Sequence, residues 1–105
     1  MNLSQIQVMV NNFTSSKKMN SNVSVRIIDL VSEVGELTKE VLKGTNYGNE
    51  SFKKTEEWKS EIGDVLFSLI CIANQTDTDL EDSLNYVLNK YENRFASKGD
   101  LGSGM

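Results

Sequence analysis

The sequence predicts an all-α fold, with four helices forming a bundle-like protomer. None of the 105 residues is proline, the residue that most often breaks a helix. Apolar residues recur at i, i+3, i+4 and i+7, which is typical of amphipathic helices, while the alternation typical of strands is scarce. A chain of this length forms about one domain, and a small domain leaves much of its surface exposed. We therefore expect a homo-oligomer, a homodimer or homotetramer.

The first two helices are predicted from apolar spacing and polar breaks. A helix of about ten residues is predicted near the start from five apolar residues: Leu3, Ile6, Met9, Val10 and Phe13. The polar stretch 14–22 predicts a loop. A second helix is predicted over 23–43, because Gly44 is a favourable residue just beyond a helix.

The last two helices are predicted from capping signals. After a connector rich in glycine and asparagine, Thr55 and the two glutamates that follow it predict the cap and acidic first turn of a third helix, running to about residue 74. Thr78 or Asp79 is expected to cap a fourth helix. The helical domain is expected to cover 1–97, followed by a flexible tail over 98–105 that contains three glycines.

Composition excludes several kinds of chemistry. The chain has no histidine, which excludes Ser-His and Cys-His catalysis and His-ligated zinc. The net charge of −4 argues against a nucleic-acid partner. No apolar run is long enough to span a bilayer and no signal peptide is seen, so we expect a cytoplasmic protein without a membrane partner. The single cysteine, Cys71, is expected to be a small buried hydrophobe.

One six-residue pattern occurs twice, 28 residues apart, as Ser32–Leu37 and Ser60–Val65. Each copy reads Glu-x-Gly-acid in the middle of a predicted helix. A glycine inside a helix costs roughly 1 kcal/mol relative to alanine. The two glycines, Gly35 and Gly63, therefore predict that something packs closely against both helices.

The acids of the doubled pattern form a candidate metal site. Residues three apart on a helix lie about 60° from each other, with Cβ atoms about 5–6 Å apart. Antiparallel packing of the two helices would bring four acids together: Glu33, Glu36, Glu61 and Asp64. Grouped carboxylates repel unless a cation neutralises them, and oxygen ligands suit Mg²⁺, Mn²⁺ or Ca²⁺. A solvated acidic face is the alternative, which the repetition disfavours. Glu40 lies one helical turn beyond Glu36 on the same face of the predicted helix.

At these residues the chain resembles the MazG-like nucleotide pyrophosphohydrolases and their all-α relatives, the dimeric dUTPases. Their metal-binding signature is Glu-x-x-Glu, a spacer, and Glu-x-x-Asp, and this chain has both acid pairs with 24 residues between them. The family often carries Lys-x-x-Asn-Arg in the last helix, which matches Lys90, Asn93 and Arg94. The resemblance covers roughly 23–95. Many members have a glutamate where this chain has Ser32, so no secondary role of that acid is expected here.

The resemblance implies an enzyme that cleaves a nucleoside triphosphate between its α and β phosphates, giving the monophosphate and pyrophosphate. It implies that the four acids bind Mg²⁺, with Mn²⁺ as an alternative. Lys90 and Arg94 would hold the outer phosphate oxygens with help from Asn93. From position alone, Ser68 is a candidate to line the site and Trp58 to stack on a base, although a core or interface role is favoured for Trp58.

Three alternatives stay open at this point. Phosphoribosyl-ATP pyrophosphohydrolase and dUTPase activities use similar acid-bearing helices. The third is a non-catalytic helical module that binds metal or a partner without turnover. The presence of acids at all four positions, together with the basic residues of the last helix, favours an enzyme.

Overall fold

The computed structural model describes residues 1–19 and 21–98. Within these residues the chain forms four α-helices and no strand. Their bounds are α1 Leu3–Ser16, α2 Val23–Gly44, α3 Trp58–Gln75 and α4 Leu80–Lys98. The predicted all-α fold with four helices is confirmed. Residue 98, predicted to begin the tail, is the last residue of α4, and the rest of the predicted tail lies outside the described residues.

The first helix is longer than predicted. Asn2 caps α1 by accepting a hydrogen bond from the backbone N–H of Gln5, whose side chain accepts one from the N–H of Asn2 in return. Residues 14–16 were predicted to be loop but continue the helix, and that prediction was wrong. The hydroxyls of Thr14 and Ser16 donate to backbone carbonyls three residues earlier. Their hydrogen-bonding capacity is therefore met inside the helix.

The two later helices begin differently. Asp79 caps α4, because its Oδ1 accepts a hydrogen bond of 2.9 Å from the backbone N–H of Glu81, which confirms one of the two predicted caps. The predicted start of α3 near Thr55 was wrong: α3 begins at Trp58, and its first flanking residue, Glu57, provides no side-chain cap. The Thr55 hydroxyl instead donates to the carboxylate of Glu40.

The centre of the protomer is an antiparallel pair formed by α2 and α3. Thr55 just before α3 bonds to Glu40 near the end of α2, and Gln75 at the end of α3 bonds to Ser21 just before α2. Helix α1 packs against α3, and α4 packs against α1. The buried apolar residues Ile70, Cys71 and Ala73 all lie in the second half of α3, as predicted for Cys71.

Much apolar surface stays exposed on the single protomer. Ile28 and Val31 on α2 are each 67% exposed, and Phe95 on α4 is 58% exposed. Apolar patches of this kind on a small soluble domain commonly mark an interaction surface. No helix among the described residues has both the length and the apolar character needed to cross a membrane.

Close packing at the two mid-helix glycines is not found within the described residues. A Cβ atom built on Gly35 or Gly63 would meet nothing within 4 Å, so the expectation that something packs against both helices was wrong for the protomer. The close approach occurs at Gly44. A Cβ atom there would lie 2.5 Å from the carbonyl oxygen of Lys53 and 2.8 Å from the ring of Phe52.

Candidate metal centre

Three of the four predicted acids meet between α2 and α3. Glu33, Glu61 and Asp64 each offer a carboxylate oxygen, and these oxygens all lie within 4.8 Å of one another. Glu33 and Glu61 are half-buried and Asp64 is exposed. Ligands on opposite sides of a Mg²⁺ ion are about 4.2 Å apart, from metal–oxygen distances of about 2.1 Å. Small side-chain movements would therefore let the three carboxylates share one ion.

The fourth predicted acid, Glu36, is outside this three-residue group. Its carboxylate pairs with the ammonium of Lys39 at 3.2 Å, and both side chains are exposed. Exposed ion pairs of this kind contribute only about 0–1 kcal/mol. Glu36 also raises the pKa of Glu61, which places its charge near the group. A bound cation would therefore compete with Lys39 for Glu36 at little cost.

The electrostatics of the group favour a cation. Burial raises the pKa of Glu61, and the negative charges of Asp64, Glu33, Glu36 and Glu40 raise it further, in that order. Among the described residues, none gives the carboxylate of Glu33, Glu61 or Asp64 a hydrogen-bond or ion-pair partner. Like charges held together in this way destabilise their ionised forms until a cation or a proton relieves them. The donor set, which is entirely carboxylate, suits a hard divalent ion.

A fifth acid, Glu40, has a different environment one turn further along α2. The residue is 4% exposed. Its Oε1 accepts a hydrogen bond of 2.6 Å from the Thr55 hydroxyl, and its Oε2 lies 3.3 Å from the ammonium of Lys43. The hydrogen bond from Thr55 and the charge of Lys43 lower the pKa of Glu40 against the opposing effect of burial. Sequence reasoning missed this pair because Thr55 looked like a helix cap.

The predicted phosphate-binding residues form a separate feature. Lys90, Asn93 and Arg94, with Tyr86 and Asn89, line a shallow hollow of about 380 Å³ on α4. None of its cations is among the charges that shift the pKa of Glu61. The structure does not bring the basic residues into the acidic group of the same protomer.

Two further candidates from the sequence lie on α3. Trp58 is half-buried and meets the ring of Phe52 edge-on, with 4.9 Å between ring centroids. Ser68 is buried one turn after Asp64. Their predicted roles at a substrate site stay predictions.

The fold and the site together define a class of protein: an all-α domain whose central antiparallel helices carry carboxylates that have no partner among the described residues and suit a divalent cation. Residues 25–97 match the MazG nucleotide pyrophosphohydrolase domain. The chain belongs to this family. The resemblance inferred from the acid pairs is confirmed.

Solved structures of similar proteins agree with this assignment. The crystal structure of a MazG protein conserved in Bacillus, described as a nucleotide pyrophosphohydrolase, matches with a TM-score of 0.73 and 32% identity, over 87% of this chain and 89% of that one. The crystal structure of YpjD from Bacillus subtilis, a proposed pyrophosphatase, matches with a TM-score of 0.74 and 35% identity, over 90% of this chain and 96% of that one.

A sequence relative is similar over a shorter stretch. YpjD of Bacillus subtilis strain 168 is 46% identical to this chain over 68 residues. The match covers 62% of this chain and 60% of the length of that relative.

Proposed function

We propose that this protein is a Mg²⁺-dependent pyrophosphohydrolase that cleaves a nucleoside or deoxynucleoside triphosphate between its α and β phosphates. The products are the monophosphate and pyrophosphate. The observation that carries the proposal is the group formed by Glu33, Glu61 and Asp64, three carboxylates that no cation of the described residues neutralises, on a MazG fold. Mn²⁺ is the alternative metal.

In the proposed site, Glu33, Glu61 and Asp64 would hold the metal, and Glu36 would join them in place of its ion pair with Lys39. A bound Mg²⁺ would neutralise phosphate charge and make a coordinated water more acidic. The protein's own contribution is to hold these carboxylates close together on two packed helices before substrate arrives. Because no step of this assignment needs histidine, it agrees with the composition of the chain.

We also propose that Lys90 and Arg94 bind phosphate oxygens of the triphosphate, with Asn93 as a polar helper. Two cationic side chains, Lys90 and Arg94, and two asparagines line their shallow hollow, and Lys90 lies over the ring of Tyr91, 5.3 Å from its centroid. Trp58 and Ser68 are proposed to border the nucleotide, because each lies on the α3 helix that carries two of the acids.

A homodimer or homotetramer is the proposed assembly. The support is the apolar surface of α2 and α4, which includes Ile28, Val31 and Phe95 and stays exposed on one protomer. Burial of such surface contributes about 25 cal/mol per Å². An assembly could also place the α4 hollow of one copy near the acids of another. The proposed location is the cytoplasm, with no nucleic-acid or membrane partner.

The test is a panel of ribo- and deoxyribonucleoside triphosphates with Mg²⁺, with pyrophosphate release as the readout. The parent is compared with Glu61→Gln and with a matched control, Glu56→Gln, which alters an exposed glutamate outside the group. We expect release by the parent and the control and at least about 100-fold slower release by Glu61→Gln. No release from any triphosphate by the parent, or full activity of Glu61→Gln, contradicts the proposal.

The same panel separates the alternatives. Exclusive hydrolysis of dUTP would indicate dUTPase activity, and hydrolysis of phosphoribosyl-ATP, added to the panel, would indicate that activity instead. Metal binding without pyrophosphate release from any substrate would indicate a non-catalytic module.

A further inference from the structure

We infer that Glu40 and Thr55 form a positioning pair that sets the metal affinity of the proposed site. The pair, called here the Glu40–Thr55 latch, would act by fixing where α3 begins relative to α2. This inference rests on the proposed function, because it concerns the same carboxylates.

The latch joins the last turns of α2 to the connector before α3. The Glu40 side chain is 6% exposed, and the hydrogen bond from Thr55 is 2.6 Å long. A hydrogen bond from a hydroxyl to an ionised carboxylate at this distance is among the stronger ones in proteins. Both oxygens of the buried Glu40 carboxylate are engaged within the protein, one by Thr55 and the other by Lys43, so we assign it no place among the metal ligands. It acts by holding the connector in position, while its charge adds to the negative field at Glu61.

The connector is held against α2 by more than this one bond. The backbone N–H of Lys53 donates to the carbonyl oxygen of Gly44 at 2.9 Å, an approach that only glycine permits because a Cβ atom there would lie 2.5 Å from the Lys53 oxygen. The Phe52 ring then meets Trp58, the first residue of α3. Thr55 lies midway between these contacts. The connector is therefore held by a backbone hydrogen bond, by an aromatic contact and by the Glu40–Thr55 latch, which joins it to α2 through side chains.

The start of α3 has no cap of its own. Glu57 precedes the helix without a side-chain hydrogen bond to it, so the position of the first turn depends on the contacts of the connector. Glu61 belongs to that first turn, and its backbone N–H donates to the carbonyl of Glu57 at 3.0 Å. A change in where α3 begins would therefore move Glu61 directly, while Glu33 stays fixed in the middle of α2.

Metal binding is sensitive to such a movement. A helix rises about 1.5 Å per residue, whereas Mg²⁺ demands near-ideal octahedral geometry at about 2.0–2.1 Å. Loosening α3 by a fraction of one residue would take Glu61 out of coordination distance. Removing a residue that is hydrogen-bonded to a metal ligand typically lowers metal affinity by about 10–100-fold. Thr55 acts on Glu61 through the position of α3, so we expect the lower end of that range.

The test measures Mn²⁺ binding by calorimetry and electron paramagnetic resonance, without nucleotide. Thr55→Val removes the hydroxyl and leaves the volume and the net charge almost unchanged, while Thr55→Ser keeps the hydroxyl. We expect Thr55→Val to weaken Mn²⁺ binding by about 10-fold and Thr55→Ser to bind like the parent. Circular dichroism and Tm with EDTA are measured on each variant, and Thr55→Ala replaces the valine variant if that does not fold.

A double variant tests whether Glu40 and Thr55 act together. Glu40→Met removes the acceptor of the Thr55 hydroxyl. If Glu40 works through Thr55, Glu40→Met combined with Thr55→Val weakens Mn²⁺ binding less than the sum of the two single effects, as expected for residues in contact. Full additivity contradicts the latch.

The two proposals fail in distinguishable ways. Parent-like Mn²⁺ binding by Thr55→Val, or equal weakening by Thr55→Val and Thr55→Ser, overturns the latch alone. A parent that binds no Mn²⁺, or Glu61→Gln that binds it as tightly as the parent, overturns the proposed metal site and the latch with it.

Discussion

The carboxylates between α2 and α3 form two groups, one at each end of the row that runs from Glu33 to Glu40, and the two groups differ in their hydrogen-bond and ion-pair partners. At one end, the carboxylates of Glu33, Glu61 and Asp64 have no hydrogen-bond or ion-pair partner among the described residues. At the other end, Glu40 is bonded to Thr55 and paired with Lys43. The pKa shifts are opposite, since burial and neighbouring acids raise the pKa of Glu61 while the Thr55 hydroxyl and Lys43 lower that of Glu40.

This difference shows that the partners of a carboxylate, more than its place on a helix stripe, determine its role. An acid whose oxygens are occupied by the protein holds structure together. An acid left among other acids costs stability in the free protein and becomes useful when a cation arrives. Glu36 lies between these extremes, because its one partner is an exposed lysine.

The largest expected effect comes from removing an unpartnered acid. Glu61→Gln should lower kcat/KM for the best triphosphate by at least about 100-fold. Losing a residue that only hydrogen-bonds to a metal ligand lowers activity by about 10–100-fold, and losing the ligand itself should have a larger effect. Its Tm with EDTA should equal or exceed that of the parent, because a repulsive charge is gone. Pyrophosphate release and thermal unfolding measure the two quantities. If Glu61→Gln also lowers the Tm in EDTA well below that of the parent, the loss of activity would reflect a structural role of Glu61.

Metal should stabilise the protein through the same acids. At ten times the Kd of Mg²⁺, the free energy of unfolding should rise by about 1.4 kcal/mol. For a domain of this size that raises Tm by about 5–10 °C. Glu61→Gln should lose the increase and Glu56→Gln should keep it. An equal rise in Tm for all three proteins would show that Mg²⁺ binds elsewhere.

The glycines of α2 also differ in their surroundings, and their replacement by alanine should have opposite effects on stability. Gly44→Ala should destabilise by about 1–3 kcal/mol, because its Cβ atom would overlap the Lys53 carbonyl. Gly35→Ala, in open space on the protomer, should stabilise the helix by up to about 1 kcal/mol. Denaturant unfolding with EDTA measures both. Destabilisation by Gly35→Ala would show that another copy packs closely there.

The smallest expected effect is on pH dependence without metal. Because the pKa of Glu61 is raised above 4.5 in the folded protein, the folded state binds more protons there than the unfolded state. The free energy of unfolding should therefore fall as pH rises through that window. Glu40 acts in the opposite direction, since its pKa is below 4.5 and its contribution is lost as pH falls through the lowered pKa.

The measurement is Tm against pH in EDTA for the parent and for Glu61→Gln. The variant should lack the fall above pH 4.5, the reference value for Glu61, and keep the loss at lower pH. A parent whose Tm rises steadily across that window would contradict the assigned shift of Glu61.

Local patterns in the sequence were enough for much of the fold and for most of the acid group. The bounds of α2 and the Asp79 cap follow from interactions within three or four residues, which a sequence displays directly. The doubled acid pattern identified Glu33, Glu61 and Asp64, because antiparallel helices bring matching faces together.

Only the tertiary structure decided whether a side chain bonds to a neighbour in the sequence or to a residue far away in it. Thr55 has a hydroxyl that could cap a helix or bond to a carboxylate, and a residue 15 positions away in sequence took it. Glu36 forms an ion pair with Lys39, three residues away. The connector packs against Gly44, whereas nothing packs closely against Gly35 or Gly63 within the described residues. The sequence by itself determined the helices and the acids on them, because both depend on short spacings. Packing determined which acids stayed unpaired, because burial and distant donors act only when the chain is folded.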